Sequence, residues 1–255
     1  MTSNINRNAS PGFVFGRRPV WELLDSGLSV LEVIIADPGH GSILADIIDK
    51  CAEKGIHLRT VSPKELDRLA AGINHQGVAA RFTPPELIDV PGLLDIAEHQ
   101  DRREFPLILL DGIEDPHNLG AIIRSVEVLS GGGVIIRERR SAWLSPAAVK
   151  SSAGAALRVP TAETVNINQA IKTIQEAGYW VYGLDPGGSK TLWDLDLSVP
   201  AAFVLGSEGS GLARLTRERC DELVSIPIRG KIGSLNVSVA AGVVLAEWAR
   251  QHCHR

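Results

Sequence analysis

Cysteine, aromatic residues and long apolar runs are all scarce in this chain of 255 residues. It has 3 cysteines without a C-x-x-C pair, and aromatic residues make up 5% of it. An odd number of distant cysteines argues against a disulfide framework and favours a reducing compartment. No window approaches the ~20 apolar residues of a membrane span, and the polar N-terminus has no apolar signal-peptide core. These absences predict a soluble, cytoplasmic protein with no membrane partner.

Metal-ligand residue types cluster only at the C-terminal end of the sequence, as His252-Cys253-His254. A structural zinc site needs four ligands that are spaced along the chain. We therefore interpret this cluster as part of a tail and predict no metal site.

The chain also lacks an excess of positive charge, since its formal net charge is −4. Nucleic-acid partners favour basic domains, so this total argues against RNA. The acidic excess, however, lies in residues 86–104, which carry 6 acidic and 2 basic side chains. Residues 1–85 (9 and 9) and residues 105–255 (15 and 15) are each neutral. The composition therefore permits an RNA partner without predicting one.

Strand-like apolar runs alternate with helical patterns in two parts of the chain. Residues 12–82 predict a small α/β domain, and residues 83–104 predict an acidic linker with one short helix. Residues 105–255 predict a second α/β domain with a mostly parallel sheet that is covered on both faces. In such sheets ligands bind beyond the carboxyl ends of the strands.

Three polar or glycine-rich loops follow buried strands in the second domain. The first, residues 111–120, contains Asp115 and Asn118, which are both good helix N-caps. Capping alone explains less well why Asn118 and Arg124 both avoid the apolar stripe of the next helix. The second loop, residues 205–212, has three glycines that let backbone approach a ligand. Its Glu208 is either a solvated turn residue or a partner for a cationic or hydroxyl-bearing ligand.

The third loop, residues 226–238, places Ser234, Asn236 and Ser238 at the start of the last predicted helix. Capping a helix needs one of these side chains, not three. The surplus predicts a polar site where backbone N–H groups also point outward.

Together and in this order, the loops resemble the three motifs of the SpoU/TrmH-type RNA ribose 2′-O-methyltransferases of the SPOUT superfamily. The matching patterns are D-x-x-x-D-P-x-N-L-G-A-x-x-R-S, L-G-S-E-G-x-G-L and I-P-I-x-G-x-x-x-S-L-N-V-S-x-A-A. Residues 139–155 also resemble the family. In the first domain, residues 16–20 and 75–79 are similar to the substrate-binding domain of bacterial 23S rRNA guanosine-2′-O-methyltransferases. The resemblance covers about residues 13–252.

For the fold, the resemblance implies a C-terminal SPOUT parallel-sheet domain with a deep trefoil knot and a small N-terminal L30e-like α/β domain. It also implies a homodimer. The broad apolar face of the last helix suits either the core or a dimer interface; it consists of Val237, Ala240, Ala241, Val244, Leu245 and Trp248.

For the chemistry, the resemblance implies methyl transfer from S-adenosylmethionine to a ribose 2′-hydroxyl of RNA. The similarity to the 23S rRNA enzymes implies a guanosine of 23S rRNA as the target. The cofactor-binding positions carried over are Leu205, Gly206, Ile226, Ile228, Ser234 and Leu235. The catalytic positions are Asn118, Arg124, Glu208, Ser234 and Asn236.

A guanidinium stays charged in proteins, so we expect Arg124 to stabilise the developing alkoxide and to hold a neighbouring phosphate, rather than to act as a base. The proton then leaves through Glu208, the phosphate or water. Five arginines are candidates for contacts to RNA phosphates: Arg17, Arg18, Arg137, Arg139 and Arg140. The alternative is that they are ordinary solvated surface residues.

Three other functions compete with this one. A methyltransferase acting on tRNA or on another rRNA site uses the same motifs. A non-catalytic RNA-binding protein of this fold is disfavoured by the intact catalytic set. A dinucleotide oxidoreductase needs G-x-G-x-x-G after the first strand of a βαβ unit, which this sequence lacks.

Overall fold

The computed structural model describes residues 12–36, 42–84, 86–138, 145–207 and 209–252. They form two α/β domains on two separate sheets. None of the helices in these ranges combines the length and the apolar character that a membrane span requires.

The first domain is built on a mixed four-stranded sheet. Its strands are β1 (Gly12–Phe15), β2 (Val30–Ala36), β3 (Leu58–Val61) and β4 (Val78–Phe82). The order is β1-β4-β2-β3, with β2 and β3 parallel and β4 antiparallel to β1 and β2. The sequence predicts β2, β3 and β4 but not the edge strand β1.

Three helices cover both faces of this sheet: α1 (Arg17–Asp25), α2 (Ser42–Lys54) and α3 (Pro63–Ala70). Leu23 of α1 and Ile47 of α2 are buried on one face, and Leu66 of α3 is buried on the other. The start of α3 follows from local sequence, since Ser62 caps it by accepting a hydrogen bond from the Glu65 N–H at 3.3 Å.

The acidic segment carries helix α4 (Val90–His99), which packs against the second domain. Val90, Leu93 and Ala97 are buried there, and the Ile88 N–H donates to the Thr161 carbonyl at 3.1 Å. This part of the predicted linker is therefore held by apolar contacts, with its acidic residues on the other side of the helix.

The second domain is built on a seven-stranded sheet in which every pair of neighbours is parallel. The order is β7-β6-β5-β10-β8-β11-β9. The strands are β5 (Leu107–Asp111), β6 (Gly133–Arg137), β7 (Thr161–Thr164), β8 (Trp180–Leu184), β9 (Lys190–Thr191), β10 (Ala201–Gly206) and β11 (Glu222–Ser225). The α/β fold class with a parallel sheet is confirmed. The knot stays a prediction from the resemblance.

Helices lie on both faces of this sheet, because its central strands β5 and β10 are apolar on both sides. In β5, Ile108 and Leu110 belong to one core cluster, while Leu107 and Leu109 belong to the other. The helices are α5 (Pro116–Leu129), α6 (Pro146–Ser151), α7 (Ile167–Glu176), α8 (Arg214–Arg219) and α9 (Val237–His252). Helices α5 and α9 cover the first cluster, and α4 and α7 cover the second.

The apolar face of α9 is used inside the chain. Five of its six predicted members are buried in the cluster shared with α5, and the sixth, Ala240, is partly buried against it. The sequence leaves open whether this face belongs to the core or to a dimer interface, and in the structure it belongs to the core.

Helices α1 and α6 join the two domains. The ammonium groups of Lys50 and of Lys150 on α6 lie over the Trp21 ring, at 4.1 and 4.5 Å from its centroid. Helix α6 packs in turn on α5 at Gly120, where a Cβ would lie 2.4 Å from the Ala148 carbonyl oxygen. The first domain is thus connected by direct packing to the helix that carries Asn118 and Arg124.

Candidate functional site

A cavity of about 730 Å³ opens at the carboxyl edge of the second sheet, over β10, β8 and β11. The strand order brings the carboxyl ends of these three strands side by side. All six predicted cofactor-binding residues lie in its wall: Leu205, Gly206, Ile226, Ile228, Ser234 and Leu235. The second and third of the predicted loops thus meet around one space.

The loop after β10 folds back tightly on Gly206. A Cβ at Gly206 would lie 2.1 Å from the Gly211 carbonyl carbon and 2.4 Å from the Leu212 nitrogen. The Gly211 N–H donates to the Ser207 carbonyl at 3.0 Å, and Gly211 has a φ of +65°. The glycines are therefore needed for the tight turn of the loop, and the backbone of this loop lines the cavity.

Asn236 links the third loop to the first. Its side-chain oxygen accepts from the Ser238 N–H at 2.9 Å and caps α9, while its Nδ2 donates to Asn118 Oδ1 at 3.1 Å. Asn118 is buried near the start of α5, whose N-cap is Asp115. Asp115 is thus the capping residue of the first loop, and Asn118 is available for the contact with Asn236.

Arg124 lies on the exposed side of α5 and is not in the cavity wall. It forms no ion pair with another described residue. Two of the other predicted catalytic residues, Asn118 and Asn236, contact each other, and Ser234 lies in the cavity wall. Glu208, the fifth predicted catalytic residue, lies outside the described residues.

The predicted RNA-binding arginines divide into separate groups. In the first domain, the Arg17 backbone N–H and Nε both donate to Gln76 at 3.1 Å, which joins its two family-like segments. Arg18 is largely exposed and lies 3.5 Å from Glu22. In the second domain, Arg137 pairs with buried Asp111 at 3.1 Å. Arg139 and Arg140 lie outside the described residues.

Two charged wall residues were missed by the sequence analysis. Asp185 and Arg217 form an ion pair at 3.3 Å, and they are the only charged residues among the described ones that line the cavity. The available signal was the position of Asp185 directly after the apolar run of β8. Arg217 gave none, because it lies in a charged stretch typical of a solvated helix.

The described cysteines are poor candidates for nucleophiles. Cys51 is buried and Cys220 is partly buried, and both are free thiols. Burial raises the pKa of Cys51, and burial raises the pKa of Cys220 to about 12. Both therefore remain protonated at neutral pH, and the reactive form is the thiolate. In the described part of the chain, no group of His, Cys, Asp and Glu could hold a metal ion.

Both domains match known families. The SpoU rRNA Methylase family matches residues 106–246, and the RNA 2′-O ribose methyltransferase substrate binding family matches residues 13–88. A protein of Mycolicibacterium gilvum described as an uncharacterized tRNA/rRNA methyltransferase is 44% identical over 239 residues, covering 93% of this chain and 76% of that protein. Its Mycobacterium leprae counterpart is 42% identical, covering 97% and 80%.

Solved structures share the whole architecture. The SpoU methyltransferase AviRb from Streptomyces viridochromogenes superposes with a TM-score of 0.64 at 25% identity, over 99% of this chain and 93% of that one. An AdoMet-bound rRNA methyltransferase from Sinorhizobium meliloti gives 0.63 at 25% identity, over 96% and 88%. The chain therefore belongs to the SpoU rRNA methylase family, and it is an RNA 2′-O-ribose methyltransferase that uses S-adenosylmethionine.

Proposed function

We propose that this enzyme binds S-adenosylmethionine in the cavity over β10, β8 and β11 and methylates a guanosine 2′-hydroxyl in 23S rRNA. The observation that carries the proposal is the Asn236–Asn118 contact beside a cavity whose wall contains all six expected cofactor residues. The wall supplies apolar side chains for an adenine ring and glycine backbone for its polar edges. The cavity volume lies in the range of roughly 300–1,000 Å³ that is usual for small-molecule sites.

When bound, the cofactor supplies a methyl group on a positively charged sulfur. The chain has to position the ribose hydroxyl and to stabilise the negative charge that develops on its oxygen. We assign the positioning to Asn118, Asn236 and Ser234, and the charge stabilisation to Arg124. The exposed guanidinium of Arg124 is accessible to an RNA phosphate. Glu208, the phosphate or water takes the proton.

Replacing Asn236 with serine is expected to separate its two roles. Serine is a good N-cap, so the free energy of unfolding should change by less than about 1 kcal/mol. Its side chain is too short to reach Asn118, so kcat should fall roughly 10- to 100-fold because the reacting groups are less well positioned. Thermal unfolding and single-turnover methylation measure the two effects. The matched control is Asn166→Ser, which exchanges the N-cap of α7 far from the cavity and should leave kcat unchanged. Equal kcat values in both variants would contradict the role of Asn236.

We assign RNA binding in the first domain to Arg17 and Arg18. The double variant Arg17→Ala/Arg18→Ala should weaken RNA binding and make its salt dependence shallower, by about 0.7–0.9 in log–log slope for each phosphate that the protein no longer neutralises. Fluorescence anisotropy at several salt concentrations measures this. Arg68→Ala removes an exposed arginine from α3, on the opposite face of the sheet, and should keep the slope. An unchanged slope in the double variant would remove these arginines from the interface.

The test of the substrate is methylation of total RNA with labelled S-adenosylmethionine, followed by mapping of the modified ribose. Label at one guanosine of 23S rRNA supports the proposal. Label in tRNA or at another rRNA site assigns the enzyme to that substrate instead. Cofactor binding without label in any RNA would favour a non-catalytic RNA-binding role. The knot, a homodimer in solution and a cytoplasmic location belong to the same proposal, and sedimentation tests the dimer.

A further inference from the structure

The ion pair of Asp185 and Arg217 is a feature of the cavity wall that the mechanism above does not use. The two side chains are 3.3 Å apart, and the Asp185 side chain is 10% exposed. Asp185 follows the last residue of β8, and Arg217 comes from α8. The Arg217 side chain is 43% exposed, so the shielded member of the pair is the Asp185 carboxylate. Shielding a carboxylate beside a ligand cavity costs desolvation energy, so its presence there calls for a function.

Both partners are held in place by the fold. The Gly187 N–H donates to Asp185 Oδ1 at 2.9 Å, and a Cβ at Gly188 would lie 2.6 Å from the backbone of Val224. Next to Arg217, buried Thr216 donates to buried Asp111 at 2.9 Å and anchors α8 to the end of β5. The carboxylate is thus presented to the cavity in one fixed position.

The place of Asp185 on the sheet indicates which part of the cofactor it meets. Strand β10 lies between β8 and β5, so Asp185 is about 10 Å from the end of β5, where the loop that leads to Asn118 begins. The apolar residues nearest to it are Leu184 and, across the β8–β11 pairing, Val224, which both line the cavity. An adenine ring bound against this apolar wall would have its ribose close to Asp185.

The charge of the pair selects among the polar groups of the cofactor. Arg217 already compensates the Asp185 carboxylate, so the pair offers no net charge to an ammonium or sulfonium group. Oδ1 of Asp185 accepts one hydrogen bond, from the Gly187 N–H, and Oδ2 forms the ion pair with Arg217, so each oxygen can still accept a hydrogen bond from a ligand. Neutral hydroxyl donors match this pattern, and a carboxylate near the end of a parallel strand is a known acceptor for ribose hydroxyls in α/β nucleotide sites.

From this geometry we infer that Asp185, positioned by Arg217, accepts hydrogen bonds from the ribose hydroxyls of S-adenosylmethionine. The inference rests on the proposed placement of the cofactor in this cavity. Asp185 is a cofactor-binding residue, and Arg217 is a positioning residue that acts through it.

The test combines changes in the protein with changes in the ligand, as in a double-mutant cycle. Calorimetry measures the affinity of each protein variant for S-adenosylhomocysteine and for its 2′-deoxy and 3′-deoxy forms. Wild-type protein should bind at least one deoxy form about 10- to 100-fold more weakly, as expected when a hydrogen bond to a charged group is removed. Asp185→Asn should weaken S-adenosylhomocysteine binding by a similar factor and should abolish most of the preference over the deoxy forms. Arg217→Met should reduce the same preference. The matched control, Glu222→Gln, breaks the comparable Lys190–Glu222 pair outside the cavity and should keep it.

Two results would overturn the inference. Equal weakening of all three ligands by Asp185→Asn would show that Asp185 only supports the wall. If Arg217→Met weakens S-adenosylhomocysteine but not 5′-methylthioadenosine, which lacks the amino-acid end, Arg217 binds the cofactor carboxylate instead. Failure of the proposed cofactor site is separately visible, since Gly206→Ala would then leave wild-type affinity for S-adenosylhomocysteine intact.

Discussion

The Gly206→Ala variant is expected to bind S-adenosylhomocysteine at least about 100-fold more weakly than the wild type. The added Cβ would lie 2.1 Å from the Gly211 carbonyl carbon, 2.3 Å from its oxygen and 2.4 Å from the Leu212 nitrogen. All three atoms are backbone, so no flexible side chain can move aside. The backbone of the loop therefore has to move apart. Because Gly206, Ser207 and Gly211 line the cavity, this movement also distorts the cavity wall.

The matched control for this variant is Gly233→Ala. Gly233 lines the same cavity, but a Cβ there has no atom within 4 Å and its φ needs no glycine. Its effect on affinity should therefore be severalfold at most, unless the methyl group meets the ligand itself. Calorimetric titration gives both affinities, and circular dichroism shows whether each variant is folded. A folded Gly206→Ala protein with wild-type affinity would place the cofactor elsewhere.

The sequence motifs identify residues that line the cavity. Leu205, Gly206, Ile226 and Leu235 lie in motifs with a fixed order of glycine and apolar residues, and the sheet brings those motifs together. Asp185 and Arg217 escape prediction for a physical reason. A strand end followed by Pro-Gly-Gly is typical of a plain turn, and only the order β10-β8-β11 turns it into a cavity wall.

In the acidic segment, the composition hides a helix that packs on the second domain. Its charge and flanking prolines indicate a linker, but Val90, Leu93 and Ala97 recur at helical spacing and are buried against the second domain. The charged composition of the segment comes from the solvated side of α4, whereas its packing depends on the three apolar residues. The pairing of Asn118 with Asn236 is similarly beyond local pattern, since 118 residues separate two side chains that meet at 3.1 Å.

Arg124→Ala is expected to lower the single-turnover rate of RNA methylation by about 100- to 1,000-fold, the usual cost of removing a group that stabilises charge in the transition state. Arg124 follows Asn118 by six residues on α5, about 9 Å along the helix axis. Its side chain is exposed and lies outside the cavity wall. Affinity for S-adenosylhomocysteine should therefore stay at the wild-type value, because Arg124 does not line the cavity.

The exposure of Arg124 makes this variant easy to interpret. The side chain forms no ion pair with another described residue, so its removal leaves neither a buried charge nor a void, and unfolding should be unchanged within about 0.5 kcal/mol. Arg103→Ala removes an exposed arginine of the same kind near the opposite face of the sheet and should keep full activity. Arg124→Lys separates two further roles, since lysine retains the charge but not the planar, two-pronged donor geometry. Partial activity in the lysine variant would assign Arg124 to charge stabilisation, and near-wild-type turnover in Arg124→Ala would exclude it from catalysis.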